Sequence, residues 1–237
     1  MTNKWYTIYK ERERSLYMKV LVVGANGKVA KCFADLTKDY SDIEEKAVIR
    51  DASQKTFFDE RGIETQVLDI IYNSIEDFAE AMSDVDAVVF SAGAGGSGLD
   101  KTVMVDLDGA IKIMTAAEQA NVKRFVMVST FRTGRKQIAK GIENDAPLKI
   151  YTIAKNYADE WLKNRTELDW TIIHPGTLTD EKGNGKVQVG MGLKHSEVPR
   201  QDIAQTILAS LQDDSTIRKE FEVLAGDEPI SEAIKNV

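Results

Sequence analysis

The segment Val20–Ala30 constrains the fold of this 237-residue chain more than any other part of its sequence. Val20–Val23 is a continuous apolar run of the kind found in a parallel strand that is buried on both faces. The run is followed at once by Gly24-Ala25-Asn26-Gly27-Lys28-Val29-Ala30, which has the spacing G-x-x-G-x-x-A. The order of strand, glycine turn and helix predicts a βα unit whose turn lies at the carboxyl end of the strand.

Each small residue of this turn has a physical role in dinucleotide binding. Gly24 permits the tight turn, Gly27 lets the backbone approach a diphosphate, and Ala30 keeps the helix close to the strand. The free amides at the start of the helix then face the negative charge. An ordinary turn between two elements is the alternative, but the position after the first apolar strand favours a nucleotide site. We expect cofactor contacts from Gly24, Asn26, Gly27, Lys28 and Val29.

Strand-like and helix-like patterns alternate along the rest of the chain. Strands are expected at residues 20–23, 47–49, 65–68, 87–90, 124–128, 170–173, 187–189 and 221–224, and helices at 29–36, 75–82, 102–119, 150–162 and 203–211, with a closing helix. Such alternation requires a parallel sheet that is covered by helices on both faces. We therefore predict an α/β protein with a doubly wound Rossmann fold and a mainly parallel sheet.

The domain organisation follows from the same pattern. No repeat or low-complexity linker interrupts it, so we expect residues 18–237 to form a single NAD(P)-binding domain. Residues 1–17 lack the apolar core of a signal peptide and are interpreted as a polar appendage that need not be ordered. The longer connections at 131–147 and 176–198 follow the fifth and sixth strands, where ligands bind in open parallel sheets. They are the expected substrate-side loops.

The end of the second strand, Ile49-Arg50-Asp51, bears on the choice between NADP and NAD. A carboxylate at this point usually binds the ribose hydroxyls of NAD, whereas a nearby arginine accommodates the 2′-phosphate of NADP. Arg50 comes first and Lys28 adds a second cation, so NADP(H) is favoured over NAD(H). Two alternatives stay open: Asp51 could turn inward, and Arg50 could be a solvated surface residue. Asp69, after the third strand, is either an adenine contact or an exposed loop carboxylate.

Tyr151 and Lys155 form a Y-x-x-x-K pair, and residues four apart share one face of a helix. An ammonium near a tyrosine favours the phenolate, which makes the tyrosine a usable acid–base group beside a carbonyl or alcohol. The spacing alone is weak, since Tyr6 and Lys10 also fit it. The pair is expected to border an apolar stripe formed by Ile150, Ile153, Ala154, Tyr157, Ala158 and Trp161. A packing tyrosine and a lysine with a buried stem would also occupy that border.

Composition excludes several classes of function. The net charge of −7 and the pI near 5.1 disfavour a nucleic-acid partner, which needs a basic face. Cys32 is a lone cysteine, and His174 and His195 are not a close pair, so no metal site is expected. No apolar stretch approaches the roughly 18 residues that span a bilayer. Without export signals or disulfides, a cytoplasmic location is expected.

The sequence resembles the short-chain dehydrogenase/reductase superfamily, in its atypical NAD(P)H-binding, NmrA-like branch, which is also like NAD-dependent epimerase/dehydratases. The resemblance runs from Met18 to about Val237 through the motifs GANGKVA, VFSAGAG, VDLDG, VKRFVMVST, YTIAK and WTIIHPGTLTD. It implies a Rossmann sheet, a preference for NADP(H), and a cofactor site over the glycine turn, Arg50 and Ser91-Ala92-Gly93. It also implies a catalytic tetrad of the Ser/Tyr/Lys/Asn type.

Carried over residue by residue, the resemblance makes Tyr151 the acid–base and Lys155 the residue that lowers its pKa and holds the nicotinamide ribose. Asp106 falls where extended relatives place asparagine, and a carboxylate there changes the proton relay. Ser129 is the candidate hydroxyl, although Phe131 occupies the place where extended members often carry their catalytic serine. His174 replaces a common arginine and is interpreted as structural.

Two functions remain open on the sequence. The first is an NADP(H)-dependent oxidoreductase that acts on a small carbonyl, quinone-like or flavin substrate, with an epimerase or dehydratase as an allied form. The second is a non-catalytic protein that senses NADP(H) and changes its contact with a partner, which the imperfect tetrad motivates. The sequence does not distinguish a monomer from a homodimer.

Overall fold

Strand β1 (Met18–Val23) lies inside the main sheet, and its residues from Val20 onward are buried. The computed structural model describes residues 17–237, so the appendage expected at residues 1–17 lies outside the described part except for Tyr17. The other strands are β2 Ile43–Ile49, β3 Glu64–Val67, β4 Ala87–Phe90, β5 Arg124–Val128, β6 Asp169–Pro175, β7 Thr177–Thr179, β8 Lys186–Gly190, β9 Glu197–Pro199, β10 Lys219–Ala225 and β11 Glu228–Pro229.

The helices follow the strands in alternation, as the sequence pattern predicts. They are α1 Lys28–Thr37, α2 Lys55–Asp59, α3 Ile75–Ala81, α4 Leu99–Lys101, α5 Ala110–Gln119, α6 Arg135–Glu143, α7 Lys149–Arg165, α8 Arg200–Gln212 and α9 Ile230–Ala233. A π-helical segment, Thr102–Gly109, joins α4 to α5. Among residues 17–237, no helix is long and apolar enough to cross a membrane.

The main sheet has nine strands in the order β11-β8-β10-β6-β5-β4-β1-β2-β3, and β7 pairs with β9 in a small second sheet. Seven neighbouring strands, from β10 to β3, run parallel, while β8 is antiparallel to both β10 and β11. The chain builds the sheet outward in opposite directions from β1 and β4. In open α/β sheets, ligands bind in the crevice at such a reversal.

Two apolar cores cover the two faces of this sheet. Val20 and Val22 of β1 belong to the core that packs against α1, α8 and α9. Leu21 and Val23 belong to the core on the opposite face, against α3, α5 and α7. Alternate residues of a strand point to opposite faces, so one run of four apolar residues serves both cores. The predicted doubly wound Rossmann fold with helices on both faces is confirmed.

Several elements differ from the sequence-based expectation. The predicted helix at 102–119 begins as the π-helical segment and becomes α-helical only at Ala110. Connection 131–147 contains α6, and connection 176–198 contains β7 and β8. α2 and α6 each bury a single residue, Phe58 and Ile138 respectively. With one buried residue apiece, neither helix has an apolar stripe by which sequence patterns could reveal it.

Candidate functional site

A cleft of about 400 Å³ opens beyond the carboxyl ends of β1, β2 and β4, at the point where the sheet reverses direction. It is lined by the turns that follow these strands and by the turn after β3. The lining includes the predicted residues Gly24, Asn26, Gly27, Arg50, Asp69, Ser91, Ala92 and Gly93. Eight of the 20 residues that line the cleft were therefore among the predicted cofactor residues.

The turns after β1 and β4 touch each other at Gly24 and Ala92. Gly24 has φ +83°, and a Cβ there would lie 2.6 Å from both the Cα and the amide nitrogen of Ala92. Gly27 has an ordinary φ of −67°, and its Cβ would lie 3.1 Å from the Gly24 carbonyl oxygen and 3.7 Å from that of Ser91. A side chain at Gly24 would collide with the turn after β4, so glycine lets the two turns close together at the ends of β1 and β4. Close packing of these two turns, with the G-x-x-G spacing, fits a dinucleotide cradle.

The N-terminus of α1 presents backbone amides that the described chain does not cap with a side chain. Gly27 is its N-cap, and the first turn of α1 contains no acidic residue. Most described α-helices also lack a side-chain cap, and the capping box of α3 from Ser74 and Asp77 is the exception. What distinguishes α1 is its position, because its N-cap Gly27 lines the cleft. Uncapped amides with the positive end of a helix dipole form a binding site for anions. This second observation also fits the phosphates of a dinucleotide.

At the end of β2 the two charged residues separate. Arg50 is exposed and lines the cleft. The Asp51 carboxylate instead accepts a hydrogen bond from the Ser53 amide at 2.8 Å, capping the 3₁₀ turn Ala52–Gln54. This hydrogen bond lowers the pKa of the exposed Asp51 carboxyl. The positive charge thus faces the cleft, and the negative charge is engaged in the chain's own turn.

Gln54 is a cleft residue that the sequence reasoning missed. It lines the cleft close to Arg50 in the chain, and its side-chain oxygen is buried without a hydrogen-bond partner among the described residues. A buried acceptor without a donor costs on the order of 1–3 kcal/mol, which a ligand hydroxyl or amine would relieve. Nothing local in the sequence marks this glutamine, because no strand or helix is predicted between residues 50 and 64.

Three predicted cofactor residues make contacts within the protein itself. Lys28 forms an exposed ion pair with Asp180 at 2.6 Å, and Arg200 contacts the same carboxylate at 2.6 Å. Val29 is buried in the core beneath α1. Asp69 lines the cleft while its carboxylate accepts the Ile71 amide at 2.8 Å. Neither Lys28 nor Val29 lines the cleft in the described part of the chain, so cofactor contacts from them stay predictions.

A second cavity of about 440 Å³ adjoins the cleft and shares Gly93, Ala94 and Gly95 with it. Tyr151, on the first turns of α7, lines this cavity together with the loop before α4. Of the two predicted substrate-side connections, 131–147 contributes Pro147, whereas no residue of 176–198 lines either cavity. The loop Gly93–Gly98 therefore forms the wall that was expected from the later connections.

Lys155 lies beneath Tyr151 and is buried, with 2% of its surface exposed. Its ammonium is 5.9 Å from the centre of the Tyr151 ring. It also forms a 3.2 Å ion pair with Asp106 and donates to the carbonyl oxygens of Ala92 at 3.1 Å and Val128 at 3.3 Å. Asp106 is fully buried, and its other oxygen accepts the Ala94 amide at 3.0 Å. Asp106 thus links the lysine to the loop between the two cavities.

Burial acts to lower the pKa of Lys155, but the opposing charges prevail. Tyr151 first and Asp106 second favour the ammonium, and the pKa of Lys155 is raised above its ordinary value. The lysine therefore carries a positive charge at neutral pH, one helical turn after Tyr151 on α7. A positive charge within about 6 Å of a tyrosine favours its phenolate form, and the Lys155 ammonium is 5.9 Å from the centre of the Tyr151 ring.

Ser129 belongs to a different hydrogen-bond network from that of Lys155 and Asp106. Its hydroxyl donates to Asp159 at 2.7 Å, and both residues are buried. Burial raises the pKa of Asp159, against the charge of His174 and the Ser129 hydrogen bond. Ser129 does not line either cavity among the described residues. The structure brings Tyr151, Lys155 and Asp106 together. It directs the Ser129 hydroxyl toward Asp159 instead, so a catalytic role for Ser129 stays a prediction.

His174 occupies the far side of that network. Its Nδ1 contacts the Thr130 carbonyl oxygen at 2.9 Å, and its Nε2 contacts a Glu220 carboxylate oxygen at 3.3 Å. The His174 hydrogen bond is the main cause that lowers the pKa of Glu220 to about 2. Burial opposes charge on His174, but Glu220 and Asp159 raise its pKa. His174 is 1% exposed, which agrees with the structural interpretation.

The buried face of α7 differs from the predicted apolar stripe. The helix buries Ala154, Lys155, Asn156, Ala158, Asp159 and Leu162, whereas Tyr157 and Trp161 are 45% and 41% exposed. The stripe prediction was wrong for those two aromatic residues. Three polar side chains face inward, and each has a partner within the protein: Asp106 for Lys155, Ser129 for Asp159, and the Gly134 amide for Asn156.

A doubly wound sheet with a glycine cradle and an uncapped helix at its point of reversal defines a dinucleotide-binding Rossmann protein. The chain belongs to the family of NAD(P)H-binding domains, whose family model matches residues 24–214. This family membership confirms the predicted cofactor class.

Relatives extend over almost the entire chain. It is 40% identical to the uncharacterized sugar epimerase YhfK of Bacillus subtilis, over 93% of this chain and 100% of that protein. A solved structure from Bacillus halodurans, described as an NAD-dependent epimerase/dehydratase, has 39% identity and a TM-score of 0.83, over 93% and 100% of the two chains. A short-chain dehydrogenase/reductase from Veillonella parvula in complex with NADP shares the fold at 18% identity, with a TM-score of 0.69 over 90% and 99%.

Proposed function

We propose that this protein is an NADP(H)-dependent oxidoreductase of the atypical short-chain dehydrogenase/reductase type. Its reaction transfers hydride to or from a small carbonyl, quinone-like or flavin substrate, with Tyr151 as the acid–base. The observation that carries the proposal is that Tyr151 lines a cavity adjoining the cofactor cleft and lies over the buried Lys155 ammonium. A small-molecule substrate, no nucleic-acid partner and a cytoplasmic location complete the proposal.

Bound NADPH supplies the hydride in the direction of reduction. The Tyr151 hydroxyl donates its proton to the substrate oxygen, and the positive charge of Lys155 stabilises the phenolate that remains. Asp106 holds Lys155 in place and keeps the Ala94 amide beside it. In the direction of oxidation, the Tyr151 phenolate accepts the proton of the substrate alcohol.

The preference for NADP(H) rests on the separation of charges after β2. Arg50 faces the cleft, while Asp51 is held by Ser53. We expect calorimetric titration to give tighter binding of NADPH than of NADH. Arg50→Ala should weaken the binding of NADPH by about tenfold or more, which corresponds to about 1.4 kcal/mol, and should leave the affinity for NADH little changed. Asp51→Asn, as a matched control, should leave the preference intact. Tighter binding of NADH by the wild-type protein would overturn the NADP assignment.

The acid–base role is tested by Tyr151→Phe, which removes only the hydroxyl. We expect kcat for carbonyl reduction to fall by roughly 10²–10⁴-fold, with the affinity for NADPH unchanged. Tyr157→Phe is the control on the same helix, since Tyr157 is exposed and its hydroxyl contacts Arg135. Equal kcat values in the wild type and the Tyr151 variant, across a panel of acceptors, would rule out this role.

A second candidate is a non-catalytic protein that senses NADP(H). It is favoured by one observation: the Ser129 hydroxyl donates to Asp159 inside the protein, so the tetrad is incomplete at the cavity. An epimerase is the allied enzymatic form, and a relative carries that name. NADPH binding without reduction of any acceptor, combined with partner binding that depends on the oxidation state of the nucleotide, would select the sensor.

A further inference from the structure

The cavity beside Tyr151 has a lining without charged side chains. Its wall consists of glycines, alanine, aliphatic residues, one threonine and the tyrosine: Gly93, Ala94, Gly95, Gly96, Gly98, Leu99, Thr102, Pro147, Leu148, Ile150 and Tyr151. Its volume of about 440 Å³ suits a small organic molecule. The first cleft, in contrast, contains Arg50, Asp69 and Lys101 in its lining. The two adjoining cavities therefore differ in the chemistry that they offer.

The polar side chains of this cavity leave a single hydroxyl for a ligand. The Thr102 hydroxyl donates to the Gly98 carbonyl oxygen at 3.0 Å, so its proton is already engaged within the helix start. The Tyr151 hydroxyl is the other polar side-chain group of the lining. A ligand held here can receive a hydrogen bond from Tyr151 at one oxygen, and its remaining surface meets mainly carbon atoms and loop backbone.

The charged residues next to the lining do not supply a cationic site. Lys149, beside Leu148 and Ile150, is paired with Asp145. Lys101 belongs to the lining of the first cleft and lies 5.9 Å from the ring of Tyr72. Asp100 places a carboxylate oxygen 2.8 Å from the Cβ position of Gly98. A carboxylate at this edge repels a second anionic ligand.

Two leucines at the same cavity are unusually exposed. Leu99 is 66% exposed and Leu148 is 65% exposed, and both line the cavity. Covering such apolar surface with an apolar ligand is favourable by about 25 cal/mol per Å² removed from water. A diphosphate in the same place would lose its hydration, and no lysine or arginine of the lining would compensate for its charge.

We propose that this cavity binds an uncharged, largely apolar carbonyl compound as the substrate, in preference to a nucleotide-linked sugar. This inference rests on the proposed oxidoreductase function and names the substrate class of its site. Tyr151 contacts the carbonyl oxygen, Leu99 and Leu148 cover the apolar part, and Gly93–Gly95 separate it from the cofactor cleft.

The test is a calorimetric titration of the protein with 1-tetralone, an uncharged bicyclic ketone, and with UDP-glucose. Both titrations are run with saturating NADP⁺, which allows no turnover of a ketone, and again without nucleotide. We expect 1-tetralone to bind and UDP-glucose to bind at least about tenfold more weakly. Leu148→Lys should weaken the binding of 1-tetralone by about tenfold or more, because it places a charge against the apolar ligand. It should leave the affinity for NADP⁺ unchanged.

Ile142→Lys is the matched control, since Ile142 is 56% exposed on α6 but lies outside the lining. It should leave the affinity for 1-tetralone unchanged. Comparable or tighter binding of UDP-glucose in the presence of saturating NADP⁺, which occupies the cofactor cleft, no heat with 1-tetralone in either titration, or equal effects of the two lysine variants would each overturn the inference. Absence of NADP⁺ binding, with 1-tetralone still bound by the free protein, would overturn the proposed function alone.

Discussion

Asp51 shows how one residue resolves an ambiguity that the sequence leaves open. An arginine followed by an aspartate at the end of β2 is compatible with NADP if the arginine faces the ligand, and with NAD if the aspartate does. The Asp51 carboxylate caps the following turn through the Ser53 amide. Local hydrogen bonds of this kind compete for short polar side chains, and here the competition leaves Arg50 at the cleft.

Glu45 is a buried carboxyl group outside both cavities. It is 3% exposed on β2, one oxygen accepts the Thr37 hydroxyl at 2.8 Å, and the other has no hydrogen-bond partner among the described residues. Burial is the main cause that raises the pKa of Glu45 to about 8, and Asp35 adds to it. The folded protein therefore keeps Glu45 protonated at pH values where the unfolded chain has lost that proton.

This shift predicts how stability depends on pH. Below pH 4.5, the pKa of Glu45 in the unfolded chain, the carboxyl group is protonated in both the folded and the unfolded state. Between pH 4.5 and about 8 the free energy of unfolding falls as pH rises, by up to about 1.4 kcal/mol per pH unit. Glu45→Gln removes this contribution. We expect urea unfolding at a series of pH values to show a shallower decline for the variant, with a difference of a few kcal/mol accumulated by pH of about 8. Parallel curves for the two proteins would contradict a raised pKa. Glu80→Gln, at an exposed site, should follow the wild type.

At the scale of elements, the π-helical segment and α7 are joined by one buried ion pair. Asp106 on the segment is 0% exposed and Lys155 on α7 is 2% exposed. Asp106 also holds the Ala94 amide, so the same carboxylate fixes the loop that separates the cavities. The resemblance to short-chain dehydrogenases/reductases aligns Asp106 with an asparagine of extended members, and that exchange would leave the Lys155 ammonium without this anionic partner.

We therefore predict that Asp106→Asn destabilises this chain, although the resemblance implies asparagine at this position. Removing one member of a buried ion pair leaves an uncompensated charge, at a cost of about 3–5 kcal/mol. Because Asp106 helps to raise the pKa of Lys155, the variant should also favour a neutral lysine. Urea denaturation at neutral pH measures the loss.

Asp108→Asn is the control in the same segment, because Asp108 is exposed. It should change the free energy of unfolding by less than about 0.5 kcal/mol. If both variants were equally stable, the Asp106–Lys155 pair would have no net stabilising effect in this protein.

At the scale of the whole molecule, the two cores share the strands of one sheet. β1 supplies alternate residues to both cores, and β4 and β5 do the same. If the helices on one face of the sheet unfolded, the strands that also form the core on the other face would become exposed. This arrangement supports the expectation, made from the sequence, that residues 18–237 behave as a single domain.

We predict one cooperative unfolding transition, with the same midpoint by circular dichroism and by tryptophan fluorescence. NADPH binds the folded state, so its addition should raise Tm, with a stabilisation of about 2.7 kcal/mol at a hundredfold excess over Kd. Two separate transitions, or a nucleotide effect on only one of them, would show that the sheet is divided into independent units.

The sequence by itself determined the order of the principal strands and helices, the Rossmann fold and the position of the candidate cofactor cleft. These features follow from local patterns: apolar runs define the strands, and the glycine spacing after β1 defines the turn. The spacing of Tyr151 and Lys155 likewise follows from one helical turn. Such signals lie within a few residues of each other, so they can be read along the chain.

Only the tertiary structure decided which side chain meets which. It paired Lys155 with Asp106, directed Ser129 to Asp159, engaged Lys28 with Asp180, and formed the apolar cavity from the loop before α4 and the start of α7. These contacts join residues that are far apart in the sequence, and their geometry depends on how the helices pack on the sheet. Burial and partner, rather than residue type, determine whether a charge binds a ligand or stabilises the fold.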